Sequence, residues 1–237
     1  MALNLEKTDK VLGWEIHDHL KSLGIETPMS VDDIPIEVKI ENLTAQFKVV
    51  LETLGLDMLN DSMSDSPRRL AKMYANELFW GMDHRNFPKC TSIINSLKNV
   101  NTHSSFVLEK GIKVNSTCEH HFVPIQGKAC VAYVPKDKML GLSKLNRIVE
   151  YFSRRPQVQE RLTEQIKAAL CYVAETNDVA VYIDAEHFCV KTRGIQDEGC
   201  STVTLSVSGT FAEDNSDVRR EFLNLARADF FSFAFDT

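Results

Sequence analysis

The sequence lacks long uncharged apolar runs and has little glycine or proline. Nowhere do 18 uncharged apolar residues run together, so we expect no membrane span. The N-terminal stretch MALNLEKTDK carries charges and no apolar run, so we expect no signal peptide. With 10 glycines and 7 prolines in 237 residues and no low-complexity stretch, the composition predicts an ordinary folded protein. A chain of this length can bury a sizeable core.

Cysteine is scarce and irregularly spaced. The six cysteines are Cys90, Cys118, Cys130, Cys171, Cys189 and Cys200. This spacing differs from that of small secreted domains held together by disulfides. We therefore expect reduced thiols and a cytoplasmic location.

The chain also lacks an excess of positive charge. It has 27 Lys and Arg against 33 Asp and Glu, a formal net charge of −6. Such a balance offers no basic patch for nucleic acid, so we expect no nucleic-acid partner. An anionic substrate would have to be bound by Lys and Arg residues gathered locally.

Residues 1–95 have helical periodicity and are predicted to form an N-terminal helical region. Leu12, Ile16 and Leu20 recur at fours, and a second amphipathic pattern follows Pro35. We place the boundary at residue 95 because the pattern after it is rich in strands.

A third helix is predicted in the segment DSPRRLAKMYANELF. Ser66 suits the N-cap, Pro67 the first turn, and Gly81 lies near the expected end. Arg69 and Lys72 share one face of this helix, and from the pattern alone a solvated face is the preferred interpretation.

Residues 96–237 are predicted to form an α+β core with a C-terminal helix and tail. The order is two strands, two helices and two strands, which predicts an antiparallel sheet with helices on one face. Ser143 is the predicted cap of the first of these helices, and Pro156 is predicted to open the second. A last helix, SDVRREFLNLAR, leads into FFSFAF, a tail that we expect to dock on the protein, with a neighbouring subunit as one candidate surface.

A metal site is predicted from the stretch STCEHHFVP and from AEHFCVK further along the chain. Cys118 and His121 supply two ligands, while zinc sites need three or four. If residues 179–191 form a strand, His187 and Cys189 lie on one face, about 7 Å apart. Singly, His187 is more often a core histidine and Cys189 a small buried side chain. Together Cys118, His121 and Cys189 match the ligand count of a catalytic zinc that keeps one position open.

Two histidines, His120 and His187, lie beside the predicted ligands. Imidazole titrates near neutral pH, so both are candidate acid–base groups. Cys200 could close the fourth position and make the site structural, but its strand is expected to run past the site.

Four motifs resemble those of the GTP cyclohydrolase I family, in order from Asp61 to Phe211. They are DSPRRLAKMY, STCEHHFVPIQGKACVAYVP, GLSKLNRIVEYFSRRPQVQERLTEQI and AEHFCVKTRGI. The resemblance implies a tunnelling fold, in which ββααββ subunits join their sheets into a barrel. It also implies a homodecamer with active sites between subunits.

The resemblance further implies conversion of GTP to 7,8-dihydroneopterin triphosphate and formate, the first step of folate or pterin synthesis. Zn²⁺ would be held by Cys118, His121 and Cys189, and water activated by the metal would attack C8 of guanine. His187 or His120 would protonate the imidazole ring of the base. By the same resemblance, Glu160 would bind the guanine N1–H and amino group, and Gln159 the same edge.

Six further residues correspond to the triphosphate-binding positions of the family. They are Ser143, Lys144, Arg147, Arg193, Arg69 and Lys72. A helix N-terminus at Ser143 would add N–H groups that favour an anion. The resemblance thus reverses the preferred interpretation of Arg69 and Lys72.

Two other functions remain as alternatives at this point. One is a binding module on the same fold whose zinc is only structural, although this would leave His120 and His187 without a role. The other is a nitrile-reducing relative with a cysteine nucleophile and NADPH, which the C-x-x-H spacing of Cys118 and His121 suits less well than metal ligation. A zinc deaminase lacks support because its H-x-E and C-x-x-C signatures are absent. The ligand set favours zinc, although other divalent ions could substitute.

Overall fold

A computed structural model describes residues 4–30, 33–96 and 106–228. Its helices are α1 Lys10–Ser22, α2 Ile36–Thr53, α3 Ser66–Lys72, α4 Leu142–Ser153, α5 Gln159–Ala174, α6 Phe188–Lys191 and α7 Asp217–Arg227. Its strands are β1 Ser92–Ile94, β2 Val107–Cys118, β3 Pro124–Tyr133, β4 Lys138–Leu140, β5 Pro156–Gln157, β6 Val179–His187 and β7 Thr202–Val207. The phenylalanine-rich tail, and with it the prediction that it docks, lies outside the described residues.

The main sheet has five strands in the order β5-β2-β3-β6-β7. Its neighbouring strands are antiparallel except for β5, which pairs in parallel with the end of β2. Strands β1 and β4 form a separate two-stranded sheet. The chain therefore has a mixed α/β fold, and two long strands, two long helices and two strands follow one another as predicted.

Helices cover both faces of this sheet. On one face, alternate residues such as Val131 and Val181 pack in the main core with α4 and α5. On the other face, Cys130 and Tyr182 pack against Phe222 of α7. The prediction of helices on one face holds for α4 and α5. Helix α7 lies on the opposite face, because its apolar side packs against the β3 and β6 residues that point away from the main core.

A buried ionic network joins the N-terminal part of the chain to the core. The Arg155 side chain is 1% exposed and donates to Glu26 Oε1 at 2.5 Å, to the Gly81 carbonyl at 2.7 Å and to the Tyr151 hydroxyl at 2.8 Å. Glu26 also lies 2.8 Å from Nδ1 of His17. Helix α1 contributes Ile16 and Leu20 to the same apolar core as the sheet.

The third predicted helix begins and ends differently from the prediction. Asp65 is its N-cap and Ser66 its first residue, with Pro67 following in the first turn. After Lys72 the backbone continues as a π-helical turn, Met73–Leu78, and Gly81 lies in a separate 3₁₀ turn. Gly81 has no room for a side chain, because a Cβ atom there would collide with the Tyr151 carbonyl oxygen.

The two central helices also start at other residues than predicted. Gly141 is the N-cap of α4, so Ser143 is its second residue and caps nothing. Pro156 lies in β5, where it pairs with Thr117, and α5 begins only at Gln159. Both predicted helix starts were wrong because the segments before the helices pair as strands. β4 ends just before Gly141, and Pro156 belongs to β5.

Among residues 4–30, 33–96 and 106–228, no helix combines the length and the apolar character that a membrane crossing requires.

Candidate metal centre

The first two candidate ligands lie in the tight loop between β2 and β3. Cys118 ends β2, and its N–H donates to the Val123 carbonyl at 2.8 Å. The N–H of Phe122 donates back to the Cys118 carbonyl at 2.9 Å, with Phe122 at a left-handed φ of 56°. These bonds close the loop and turn His121 back toward Cys118.

The third candidate ligand follows β6, where the structure departs from the predicted strand. β6 ends at His187, which pairs with Ile125 near the start of β3. The next four residues form the single helical turn α6. The expectation of one strand face carrying both His187 and Cys189 was therefore wrong, since β6 ends opposite the first residues of β3, beyond which the described part of the chain offers it no partner on that side.

The structure nevertheless brings the three candidate ligands together. The ligand atoms of Cys118, His121 and Cys189 all lie within 4.8 Å of one another. Cys118 is buried, Cys189 half-buried and His121 exposed, so the cluster opens to solvent on one side. Two thiols and one imidazole are soft donors that suit zinc and leave room for a fourth ligand.

Neighbouring groups further define this cluster. Burial and the adjacent Cys118 thiol raise the pKa of the Cys189 thiol in the absence of a metal. Arg193 Nη1 lies 2.6 Å from Nε2 of His121. Cys200 is not part of the cluster, and its thiol instead faces the Asp197 carbonyl at 3.6 Å.

The loop is also tied to helix α5 by an ion pair. The Arg161 guanidinium donates to both carboxylate oxygens of Glu119, at 2.6 and 3.3 Å. His120 lies beside this pair, with its Nδ1 atom 3.8 Å from the Cys118 sulfur. The sequence pattern did not predict the pair, although Arg161 directly follows Glu160 and Glu119 directly follows Cys118.

His187 is oriented by a buried glutamine. Its Nε2 atom lies 2.8 Å from Oε1 of Gln159, whose side chain belongs to a residue only 1% exposed. The Gln159 amide nitrogen donates to the Thr202 carbonyl at 2.8 Å. Burial lowers the pKa of His187, and the negative charge of Glu160 opposes this effect. Glu160 is the second residue of α5 and, unlike the buried Gln159 before it, is exposed.

The two contacts of the Gln159 side chain affect the prediction that it binds guanine. Both ends of its amide already have protein partners, namely His187 and the Thr202 carbonyl. The guanine contact stays a prediction, and the orienting contact to His187 is the role that the sequence analysis missed. Strand alternation carries no information on it, because Gln159 lies on a helix more than 20 residues away.

The other five predicted anion-binding residues are Ser143, Lys144, Arg147, Arg69 and Lys72. Within the described residues, none of them has a hydrogen bond to Cys118, His121 or Cys189. Arg69 pairs loosely with Asp65 at 3.6 Å. Burial raises the pKa of the Cys90 thiol to about 12, although the positive charges of Lys144 and Arg147 act to lower it.

Comparison with known proteins settles the family. A profile of the GTP cyclohydrolase I family matches residues 43–227. The chain belongs to the GTP cyclohydrolase I family. A GTP cyclohydrolase 1 of Yersinia pseudotuberculosis (strain IP 31758) is 48% identical over 212 residues, which cover 90% of this chain and 94% of the relative. A GTP cyclohydrolase 1 of Haemophilus influenzae (strain PittEE) is 50% identical over 208 residues, covering 88% and 93%. The match to the GTP cyclohydrolase I family includes the loop at Cys118 and the segment through Cys189.

Proposed function

We propose that the chain converts GTP to 7,8-dihydroneopterin triphosphate and formate, the first step of folate or pterin synthesis. The observation that carries this proposal is the convergence of Cys118, His121 and Cys189, with His120 Nδ1 3.8 Å from the Cys118 sulfur and His187 two residues before Cys189. Membership in the GTP cyclohydrolase I family supports the same reaction.

The donor set fits zinc, and we assign Cys118, His121 and Cys189 as its ligands. Two thiolates and one imidazole satisfy the borderline-soft preference of zinc. Bound zinc would act as a Lewis acid that makes water nucleophilic near neutral pH.

His187 is assigned as the principal proton carrier. The Gln159 amide nitrogen faces the Thr202 carbonyl, so the Gln159 oxygen must accept from His187. The proton therefore resides on Nε2. Nδ1 is the atom that can accept a proton, or donate one to the imidazole ring of guanine. His120, 64% exposed at its side chain, is the second candidate carrier.

Glu160 is assigned to guanine recognition. An exposed carboxylate can accept from the guanine N1–H and its amino group together, whereas adenine offers a different pattern of donors and acceptors. Glu160 directly follows Gln159, the residue that contacts His187, which supports a base held near both Glu160 and His187.

The triphosphate is assigned to Ser143, Lys144, Arg147, Arg193, Arg69 and Lys72. Arg193 already lies beside the ligand cluster, at 2.6 Å from His121. The other five have no hydrogen bond to the cluster among the described residues, and we assign them to a site that a second subunit completes. On this proposal residues 1–95 supply Arg69 and Lys72, while residues 96–237 supply the metal site and the guanine pocket.

The tunnelling-fold decamer and the barrel formed by its sheets are part of the same proposal. Strand β7 is an edge of the main sheet, and its Val203 and Leu205 are 51% and 43% exposed. Exposed apolar edge strands are suited to pairing with another chain. A cytoplasmic location completes the proposal.

The deciding experiment measures turnover and metal content on the same sample. Purified protein is incubated with GTP, and formate release is followed together with the fluorescence of the oxidised pterin. We expect stoichiometric formate and pterin from wild type, and a loss of at least 100-fold in His187→Ala with zinc retained. Wild type that carries its zinc and yields no product would contradict the proposal and favour a binding module with a structural metal.

Glu160→Ala tests recognition of the base separately. We expect a higher KM for GTP and a reduced preference over ATP, since the bidentate acceptor is lost. Unchanged exclusion of ATP would refute the assigned role of Glu160.

A further inference from the structure

Phe122 has a backbone conformation that its residue type disfavours. Its φ of 56° lies in the left-handed region, where a side chain crowds the backbone and glycine is the least strained residue. The residue stands at the turn of the metal loop, directly after His121 and four positions after Cys118. The backbone hydrogen bonds of Cys118 with Phe122 and Val123 close this loop, and a contact outside the loop can offset the remaining strain at Phe122.

The aromatic ring of Phe122 supplies a contact outside the loop. It packs edge-to-face on Phe79 with ring centroids 5.6 Å apart, and it lies 6.3 Å from Tyr74. Tyr74 in turn stacks on Phe47 of α2 at 5.3 Å and lies 5.4 Å from Phe79. These four residues, Phe47, Tyr74, Phe79 and Phe122, form an aromatic chain from the N-terminal helices to the metal loop.

The middle of this aromatic chain lies in an irregular part of the helical region. Tyr74 belongs to the π-helical turn Met73–Leu78 that continues α3 directly after Lys72. A π-helical turn rotates the following side chains relative to an α-helix. The turn thus sets where Tyr74 and Phe79 meet the Phe122 ring.

We propose that Phe122 is a positioning residue for the metal centre: its ring, held by Phe79 and Tyr74, keeps the loop in the left-handed turn that brings His121 to Cys118 and Cys189. This inference rests on the metal centre proposed above. The ring contact replaces the glycine that such a turn would otherwise favour, and it makes metal affinity depend on the helical region. Groups that orient metal ligands commonly change affinity by 10- to 100-fold when they are removed.

Metal affinity of the full-length chain tests this role. Apo protein is prepared with a chelator and titrated with Co²⁺, whose thiolate absorption reports the site, in competition with a chromophoric chelator. We expect Phe122→Gly to weaken affinity about 10-fold, although glycine relieves the backbone strain. Phe122→Tyr keeps the ring and is expected to bind like wild type.

Three further variants separate positioning from general stability. Phe79→Leu removes the partner ring without touching the loop and should weaken affinity in the same direction. The double variant Phe79→Leu/Phe122→Gly should lose no more than Phe122→Gly alone, because both changes break one contact. Glu175→Gly relieves a similar φ of 53° at the end of α5 and should leave Co²⁺ affinity unchanged.

The outcomes distinguish the two proposals. Wild type that fails to bind one Co²⁺ per chain with a thiolate spectrum would overturn the metal centre itself. Wild-type binding with unchanged affinity in Phe122→Gly, or with additive losses in the double variant, would overturn only the role of Phe122. Thermal unfolding of the apo variants, expected to differ little from wild type, identifies a loss of affinity that comes from a misfolded chain.

Discussion

The Nε2 atom of His187 lies 2.8 Å from the Oε1 atom of Gln159, whose own nitrogen is held by the Thr202 carbonyl. The glutamine therefore fixes both the ring orientation and the protonated nitrogen of His187. Such a contact acts on the chemical step and not on binding of the base.

This relationship predicts how Gln159→Leu changes the kinetics. We expect kcat to fall roughly 10-fold or more, less than the 10²- to 10⁴-fold typical of losing an acid–base group outright, with little change in KM for GTP. Steady-state kinetics measures both constants. A raised KM with unchanged kcat would instead support the guanine contact that the sequence predicts for Gln159.

Removal of a candidate metal ligand has a matched control in this chain. Cys118→Ser and Cys189→Ser each replace one thiolate of the cluster and are expected to lose zinc and turnover together, since a hydroxyl is a poor zinc ligand. Cys200→Ser makes the same chemical change outside the cluster, where the thiol faces the Asp197 carbonyl. We expect it to keep stoichiometric zinc, as measured by elemental analysis, and wild-type activity. Loss of zinc in Cys200→Ser would make Cys200 a fourth ligand and the site a structural one.

The sequence predicted the centre of each element better than its ends. Val179, Val181, Ile183 and Ala185 alternate along β6, and all four are buried on one face, as the strand predicted from residue 179 requires. The predicted strand, residues 179–191, was too long because its length depends on β3, whose pairing ends at Ile125 opposite His187. A strand without a partner leaves its backbone groups unpaired, so the chain turns into a helix there.

In the candidate site too, residues in short local motifs could be singled out from the sequence, whereas contacts between segments far apart in the sequence could not. Its candidate ligands could be singled out because Cys118 and His121 lie three residues apart and Cys189 lies in a second short motif, and the structure brings the three together. Contacts such as Arg161 with Glu119 join segments 42 residues apart, and no local pattern predicts them. Long-range packing, set by the whole sheet, decides these contacts.

The buried Arg155–Glu26 pair predicts a large loss of stability on truncation. Arg155→Met leaves the Glu26 carboxylate buried without its guanidinium partner, which typically costs about 3–5 kcal/mol. Lys48→Met breaks the pair with Glu52, in which both side chains are about half exposed, and should change stability by about 0–1 kcal/mol. The free energy of unfolding in urea measures both effects. Equal stability of the two variants would mean that the network contributes no more than a surface pair.

We predict that the stability of the fold decreases in acid because of His84, a buried residue outside the segments that carry the candidate metal ligands. Its ring lies 3.7 Å from that of Trp14, and burial lowers its pKa, while the charge of Asp83 opposes this and Arg85 and His17 add to it. In the unfolded chain the pKa of His84 returns to about 6.5. Between that value and the lower folded value, the unfolded state binds more protons, so stability is complete above pH 6.5 and falls as the pH drops.

His84→Phe isolates this contribution, because it keeps an aromatic ring against Trp14 and cannot titrate. We expect Tm of wild type to fall between pH 7 and pH 5, and the fall to be smaller in His84→Phe. Some dependence of Tm on pH should remain in His84→Phe, since burial also lowers the pKa of His187. Differential scanning calorimetry at half-unit steps of pH gives the two curves. Parallel curves for wild type and variant would show that His84 does not take up a proton on unfolding in this range.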